Sequence, residues 1–345
     1  MPILMEFLQS GLDALLEYLS VHVLTCLIPA FFIAGAISVF ISQAAILKYF
    51  GPLAKKLLSY SVASVSGTVL AVCSCTVLPL FGGIYKRGAG IGPAIAFLYS
   101  GPAINVLAIV YSARLLGYDL GAARAIGAIV FAAGIGLIMS FLYRKEESLK
   151  DAAVFDALTV DESGKKLWQQ VVFFVVLVAI LLFASSKNWI ATGIMMVTLA
   201  LVLKLWFTKG DIGQWMRETL HFTRLIVPWL LVGVFTAGII TVLIPATVVS
   251  NYVGSNTLLA NFAASFLGSL MYFATLTEVP VIKAFMDLGM NKGPALALLL
   301  AGPALSLPNM LVIRSIMGTK KTLTYIALVV VFATISGYVF GLLSQ

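Results

Sequence analysis

A long apolar stretch that contains helix-breaking residues occurs twice in this chain, and the two copies align without a gap. Four breaking positions recur 201 residues later: Pro79, Pro93, Gly101 and Pro102 in the first copy match Pro280, Pro294, Gly302 and Pro303 in the second. Eight of twelve residues are identical between residues 92–103 and 293–304. The repeat therefore predicts two halves with the same succession of helices and breaks.

The composition requires a membrane environment for these stretches. The chain is 61% hydrophobic and only 10% charged, with a mean hydropathy of +1.05, whereas a soluble domain has about 25% charged residues. Several apolar runs reach the ~20 residues that cross a bilayer as a helix. We therefore expect an all-α, multi-pass protein of the cell (plasma) membrane, with the lipid bilayer as its partner. The net charge of +8 is assigned to loops that orient the helices rather than to nucleic-acid binding.

The polar segments predict the division of the chain. Residues 1–143 form a first transmembrane repeat, which begins with a helix on the membrane surface, and residues 208–345 form the second repeat. The hydrophilic linker is 144–166, and residues 167–207 supply two intervening transmembrane helices. A loop over residues 208–218 is expected to lead into the second repeat.

The distribution of basic residues favours inverted repeats. If the segments around Cys73 and Glu278 turn back as re-entrant hairpins, 17 of the 22 Lys and Arg residues lie on one side of the membrane. If both segments cross, the larger share falls to 13. Because basic loops concentrate on the cytoplasmic side, we expect re-entrant hairpins and inverted halves. Transporters built in this way bind their solute near the midplane, where broken helices of the two halves meet.

A pair of thiols marks the break of the first copy. Cys73 and Cys75 flank Ser74 and precede Thr76. On a helix two residues apart differ by about 200° in direction, but in an unwound segment both side chains point to one side. Pro79 favours the unwound form, in which two soft sulfur ligands face one solute. The alternative is that the cysteines are small buried packing residues.

The second copy carries a carboxylate at its break. Glu278 stands at membrane depth, where an ionisable group suggests function. It is a candidate for binding a coupling proton, and the alternative is a cap on the amides of the following half-helix. Other polar residues near the two breaks are expected to line the solute site together with Ser74 and Thr76. These are Asn105, Thr275, Thr277, Ser306 and Asn309.

The two motifs resemble a known family. The segment from Cys73 to Phe81, the following Gly82–Gly90 and the Ser100–Asn105 segment are similar to the YraQ/ArsP-type predicted permeases. The resemblance covers nearly the whole chain. It implies export of a trivalent organoarsenical or a related soft species, with Cys73 and Cys75 as the family's cysteine motif and Asn105 as its polar position after the Gly-Pro break.

Other functions remain open at this point. The thiols could pass electrons to a thioredoxin-like partner, or Cys73 and Cys75 could bind a soft metal ion delivered by an accessory protein. Two sulfurs do not by themselves complete a four-ligand metal site. A passive channel is disfavoured because no span carries rings of charge. The chain lacks a G-x-x-x-x-G-K-[ST] motif, so we expect a secondary transporter for a small solute, not an enzyme, and no cofactor.

Overall fold

The computed structural model describes residues 2–20, 27–40, 59–64, 74–104, 106–146, 167–243, 253–271 and 278–344, and within these ranges the regular structure is helical. The first half contains α1 (Pro2–Tyr18), α2 (Ile28–Phe40), α3 (Ser74–Lys86), α4 (Ile91–Ala103), α5 (Val106–Leu116) and α6 (Tyr118–Leu142). Two helices follow, α7 (Leu167–Ser185) and α8 (Trp189–Trp206). The second half contains α9 (Lys209–Leu243), α10 (Leu258–Leu270), α11 (Glu278–Asp287), α12 (Lys292–Leu305), α13 (Leu307–Met317) and α14 (Thr319–Leu343).

The lengths and apolar character of these helices confirm a multi-pass membrane protein. Five helices of the described chain, α6, α7, α8, α9 and α14, are long and apolar enough to cross a bilayer. Two bent helix pairs, α4 with α5 at 47° and α12 with α13 at 46°, bring the candidate spans of the described chain to seven if each pair is counted as one broken span rather than as a re-entrant loop. The predicted all-α fold with broken helices is therefore confirmed.

The break of the first copy lies a few residues later than predicted, whereas the bend of the second copy lies within the expected segment, Gly302 to Pro308. An interruption was expected at Ser100–Pro102, but α4 continues through Pro102 to Ala103, and α12 likewise passes Pro303. A proline inside a helix removes one backbone hydrogen bond, and the Ile104 N–H still donates to the Ser100 carbonyl at 2.9 Å. The bends consequently follow the Gly-Pro pairs and do not coincide with them.

Helix boundaries recur with the spacing seen in the sequence. α5 and α13, and likewise α6 and α14, begin and end 201 residues apart. The glycines with positive φ in the described chain also form two pairs at this spacing: Gly88 (91°) with Gly289 (101°), and Gly117 (115°) with Gly318 (85°). Only glycine adopts such angles without steric cost. Local chain geometry, like helix length, thus follows the 201-residue period.

Contacts at helix ends place the equivalent helices α6 and α14 antiparallel. Beyond the end of α6, the Tyr143 hydroxyl donates to the Lys320 carbonyl at 3.3 Å and lies 2.8 Å from Thr324 Oγ1, both near the start of α14. At the start of α6, Asp119 pairs with Lys292 at the start of α12. Parallel repeats would put the end of α6 and the start of α14 at opposite membrane faces. These contacts are those that inverted repeats require, and we carry the inverted arrangement forward as an inference.

The two halves meet at α4 and α12. All residues from 91 to 103 in α4 and from 293 to 305 in α12 are buried. The Tyr99 hydroxyl donates to the Leu300 carbonyl at 3.0 Å, and these residues are 201 positions apart. The short helices also cross between halves, since α3 packs against α13 and α11 packs against α5. The halves are therefore interleaved, and the segments around the breaks form the centre of the molecule.

Two features of helix α9 concern its start and its contact with α1. The expected loop over 208–218 is wrong, because α9 begins at Lys209. The Asp211 carboxylate accepts from the Thr208 N–H at 2.8 Å, which caps the helix start, and Trp215 is buried one turn later. Helix α1 packs against α9, where the Ser10 hydroxyl donates to the Gly238 carbonyl at 2.9 Å.

Candidate functional site

The predicted site residues fall into two groups. Cys73, Asn105, Thr275 and Thr277 lie outside the described residues. Ser74 and Cys75 form the first turn of α3, and Thr76 follows them as a buried residue. Glu278, Ser306 and Asn309 are buried at the start of α11 and at the bend between α12 and α13. The described polar residues thus come from both halves.

The prediction of an unwound Ser74–Pro79 segment is wrong. α3 begins at Ser74 and passes through Pro79 to Lys86. Pro79 is the sixth helical residue, so its ring costs only the hydrogen bond to the Cys75 carbonyl near the helix start. In the second half, Pro280 is the third residue of α11, where the missing N–H would have no helical partner in any case. Both prolines are accommodated inside the half-helices.

The central finding is a buried ion pair that joins the halves. Arg124, on α6, contacts the Oε1 of Glu278 through Nη2, and both side chains have 0% exposure. α11 packs against α5 and α12, which holds the carboxylate within the helix cluster. The pair therefore links a spanning helix of the first half to the first residue of a half-helix in the second.

Ser112 holds the guanidinium in position. Arg124 Nη1 donates to Ser112 Oγ at 2.8 Å, and this buried hydroxyl donates at 2.7 Å to the Ala108 carbonyl one turn earlier on α5. Because a planar guanidinium presents its donors in a fixed fork, anchoring one nitrogen also fixes the direction of the others. Ser112 thus orients Arg124 toward Glu278.

Part of this polar cluster lacks a hydrogen-bond partner in the described chain. Glu278 Oε2 and Arg124 Nε are fully buried in this way, and so are Ser306 Oγ and Asn309 Oδ1. Native proteins satisfy most buried polar atoms. These buried atoms therefore have hydrogen-bonding capacity that the described residues leave unused.

The cost of burial makes the pair's two charges interdependent. Each buried ion loses several kcal/mol of hydration, and removing one partner of such a pair typically costs ~3–5 kcal/mol because the other charge is left uncompensated. The Gly-Pro turn of α12 lies alongside: a Cβ added at Gly302 would stand 3.9 Å from Glu278 Oε2. The carboxylate therefore faces the Gly302-Pro303 segment of its own half.

The ion pair occurs in only one of the two repeat-related positions. The positions equivalent to Glu278, Arg124 and Ser112 at the 201-residue spacing are Val77, Tyr325 and Ile313. Tyr325 is fully buried, like Arg124. The scaffold is thus duplicated, but its charge is not.

Arg124 was not recognised from the sequence as part of the site. It is the only ionised side chain between Leu120 and Tyr143, inside an apolar run. A lone arginine in a spanning helix faces the protein interior and pairs with an acid, so this signal was available. At the other end of α11, Lys283 pairs with Asp287 on the exposed face of the helix.

No group of three His, Cys, Asp or Glu residues that could hold a metal ion occurs among the residues that the structure describes. The proposed sulfur ligands were Cys73, which lies outside these residues, and Cys75, which is placed here by its backbone alone. The described site is therefore characterised by the Arg124–Glu278 pair and by the neutral polar groups near the two bends.

Comparisons with known proteins agree with the fold. A family model described as ArsP_1, predicted permease, matches residues 9–342. The UPF0718 protein MJ0584 of Methanocaldococcus jannaschii is 45% identical over 99% of this chain and 98% of its own length. The UPF0718 protein YraQ of Escherichia coli is 22% identical over 77% of this chain and 63% of its own length. No solved structure matches the chain. With broken helices, buried polar bends and a family match over almost its full length, the chain belongs to the ArsP_1 family of predicted permeases, which supports a membrane permease.

Proposed function

We propose that this protein is a secondary permease of the plasma membrane that exports a small thiophilic solute, with a trivalent organoarsenical as the leading assignment. The observation that carries the proposal is the position of α3. Its first turn, Ser74–Thr76, belongs to a half-helix that packs against α4 of its own half and α13 of the other. Half-helix starts at an interface of inverted repeats are where such transporters bind solute.

Cys73 and Cys75 are proposed to capture the solute directly. An arsenoxide, R–As=O, reacts with two thiols to give R–As(S–Cys)₂ and one water, so arsenic stays trivalent and no electron donor is needed. The reverse reaction with water releases the solute at the other face. Soft sulfur ligands suit this arsenic centre, whereas a hydroxyl does not.

The neutral polar residues are proposed to line the path around this capture point. They are Ser74, Thr76, Asn105, Thr275, Thr277, Ser306 and Asn309. Ser306 Oγ and Asn309 Oδ1 have unused hydrogen-bonding capacity in the described chain, which supports this role for the bend between α12 and α13.

Glu278 is proposed to couple transport to a proton. Its carboxylate has one oxygen facing Arg124 and another without a hydrogen-bond partner in the described chain. Protonation would weaken the contact that links α11 to α6. Because these helices belong to different halves, that change would loosen the join between them.

The test is flux of phenylarsine oxide into liposomes containing the purified protein under full reduction, with no partner protein. We expect Cys73→Ser and Cys75→Ser to lower the flux severalfold or more. Cys26→Ser is the matched control, since Cys26 is the remaining cysteine and lies outside the motif. Unchanged flux in both motif variants would remove the thiols from the mechanism. Absence of flux without a thioredoxin-like partner, together with its appearance when one is added, would favour the thiol–disulfide carrier instead.

A further inference from the structure

The buried ion pair points to a more specific substrate class. We infer that Arg124 binds an anionic group of the solute, and that one proton enters with each anion to neutralise Glu278. This inference rests on the proposed permease function and refines it: the preferred solute is a thiophile that also bears one negative charge, such as a carboxylate. Three features of the pair support this assignment: its isolation from other charges, its unused donors and its single occurrence in the repeat.

The pair is electrically isolated in the described chain. α11 packs against α5 and α12. The charged groups on these helices are Arg114 on α5, which is exposed, Lys292 at the start of α12, which pairs with Asp119, and the exposed pair Lys283–Asp287 on α11 itself. None of these faces Glu278, so Arg124 is its only described counter-ion. The site is neutral only while both members are charged or a substitute charge is present.

Arg124 has the donor geometry to hold a second carboxylate. Its Nη1 is used by Ser112 and its Nη2 by Glu278, while Nε has no hydrogen-bond partner in the described residues. A guanidinium can bind a carboxylate through two parallel N–H groups, here Nε and Nη2 once Glu278 withdraws. Ser112 would keep the guanidinium in place during this exchange, because its bond to Nη1 does not involve those two donors.

Neutrality of a fully buried site makes proton and anion binding cooperative. A proton on Glu278 alone would leave Arg124 as an uncompensated buried cation, and an anion on Arg124 alone would leave Glu278 as an uncompensated anion. When both bind, one positive and one negative charge are added, and the site stays neutral. The affinity for the anion must then rise as pH falls, because linkage is reciprocal.

The repeat fixes the expected stoichiometry. In the other half the equivalent positions carry Val77 and Tyr325, which neither hold a charge at neutral pH nor require one. The two repeat-equivalent positions therefore supply one such site and not two, and we expect one proton and one anion to move together, with no net charge transferred by this step.

The first experiment tests the anion site without relying on arsenical transport. Benzoate is the probe, and the readout is thermal stabilisation of the purified protein in detergent at pH 6 and pH 7.5. We expect the apparent affinity to rise by up to about tenfold per pH unit on acidification, in the range where Glu278 of the empty protein is ionised. Glu278→Gln should bind benzoate with little dependence on pH, and Arg124→Gln should lose the response.

Control variants keep this result interpretable. The double variant Lys283→Gln with Asp287→Asn changes an exposed pair on the same helix and should keep the pH-dependent response. If Arg124→Gln does not fold, the pH-independence of Glu278→Gln alone decides. Absence of benzoate stabilisation at every pH, or an unchanged pH dependence in Glu278→Gln, overturns the inference.

The second experiment separates this inference from the proposed function. Three arsenicals of similar shape are compared in liposomes: phenylarsine oxide, its 4-carboxylate and the neutral 4-carboxamide. We expect the carboxylate to be preferred severalfold over the carboxamide at pH 6, with the preference shrinking at pH 7.5. Equal transport of all three, with thiol dependence, would overturn anion recognition but leave the permease proposal intact. If none of the three arsenicals is transported, the arsenical assignment is wrong. The benzoate experiment alone then decides whether Arg124 binds an anion together with a proton.

Discussion

The beginnings of α3 and α11 occupy equivalent places in the two halves but carry different chemistry. α3 and α11 end 201 residues apart, at Lys86 and Asp287. In the first half the segment brings Cys73, Cys75 and an apolar Val77. In the second it brings Glu278, paired with Arg124 of the first half. The two copies of one sequence pattern thus differ in chemistry: the first carries two cysteines at positions where the second carries Ala274 and Leu276, and the second carries Glu278 where the first carries Val77.

This difference separates what the fold needs from what the site needs. Helix lengths, positive-φ glycines and tight glycine contacts recur in both halves, because each half must pack the same helices. By contrast, the Arg124–Glu278 pair and the two cysteines of the first copy have no equivalents in the other copy. We therefore expect the shared features to serve stability, and we propose that the unshared ones serve function.

The largest effect expected is an all-or-none labelling result that tests the orientation of the halves. In a background without native thiols, cysteines at Glu146 and Lys320 should react with an impermeant maleimide from the same membrane face. A cysteine at Lys292 should react only from the opposite face. The reason is that the end of α6 lies beside the start of α14, while Lys292 pairs with Asp119 at the other end of α6. Labelling of Glu146 and Lys320 from opposite faces would refute inverted halves.

The next effect concerns the ion pair and uses the repeat to design its control. Glu278→Val alone should destabilise the protein by ~3–5 kcal/mol, because Arg124 is left buried without a counter-ion. Adding Arg124→Tyr replaces both members of the ion pair by the residues at the repeat-equivalent positions, Val77 and Tyr325. We expect the double variant to recover most of the lost stability but to transport without pH dependence. Thermal unfolding in detergent and flux at two pH values measure the two outcomes.

A double variant as unstable as the single one would contradict this interpretation of the asymmetry. It would mean that the packing around Ser112 and Gly302 cannot accept neutral side chains at these two positions. A double variant that is stable and keeps its pH-dependent flux would instead remove Glu278 from coupling.

A smaller effect is expected from glycines that recur in both halves. A Cβ added at Gly136 would lie 2.6 Å from the Gly92 carbonyl, and one at Gly337 would lie 2.6 Å from the Gly293 carbonyl. These two contacts are related by the 201-residue spacing. Gly136→Ala and Gly337→Ala should each lower the free energy of unfolding by ~1–3 kcal/mol through overpacking. We expect the two losses to be similar.

Gly193→Ala is the control for these variants, since nothing lies within 4 Å of the added Cβ and alanine favours a helix. Differential scanning calorimetry of the three purified variants compares their thermal stabilities. If Gly136→Ala were severe and Gly337→Ala harmless, the halves would not share one packing scheme.

The sequence predicted the fold better than the site for physical reasons that particular residues illustrate. The spans 167–185 and 189–206 are continuous apolar runs bounded by polar residues, and the structure has them as predicted. Proline positions were less informative, because Pro79 and Pro102 are tolerated inside helices whose other hydrogen bonds remain. A breaker residue therefore indicated a bend to within about one turn only.

The site was only partly predictable because its key contact joins distant parts of the chain. Glu278 was expected at the centre from its depth and its proline neighbour, but its partner lies 154 positions away on α6. Sequence spacing relates residues within a helix and between repeat copies. Sequence spacing does not predict that Arg124 contacts Glu278, because these two residues are not repeat equivalents of each other. Their meeting follows from the interleaving of the halves.

The smallest effect contrasts the two ends of α11. Lys283 and Asp287 form an i,i+4 pair whose side chains are 42% and 61% exposed, whereas Glu278 at the start of the same helix is fully buried. Water already solvates the exposed charges, so their attraction is weak, and such helical pairs contribute ~0.3–0.5 kcal/mol. In a double-mutant cycle, Lys283→Gln and Asp287→Asn should show a coupling of this size that disappears in 1 M salt, because the Debye length falls to about 3 Å there. The Arg124–Glu278 cycle should show a coupling several times larger that the same salt leaves largely unchanged. Equal salt sensitivity of the two cycles would mean that ions reach the buried pair, and that the centre of the molecule is open to solvent rather than closed.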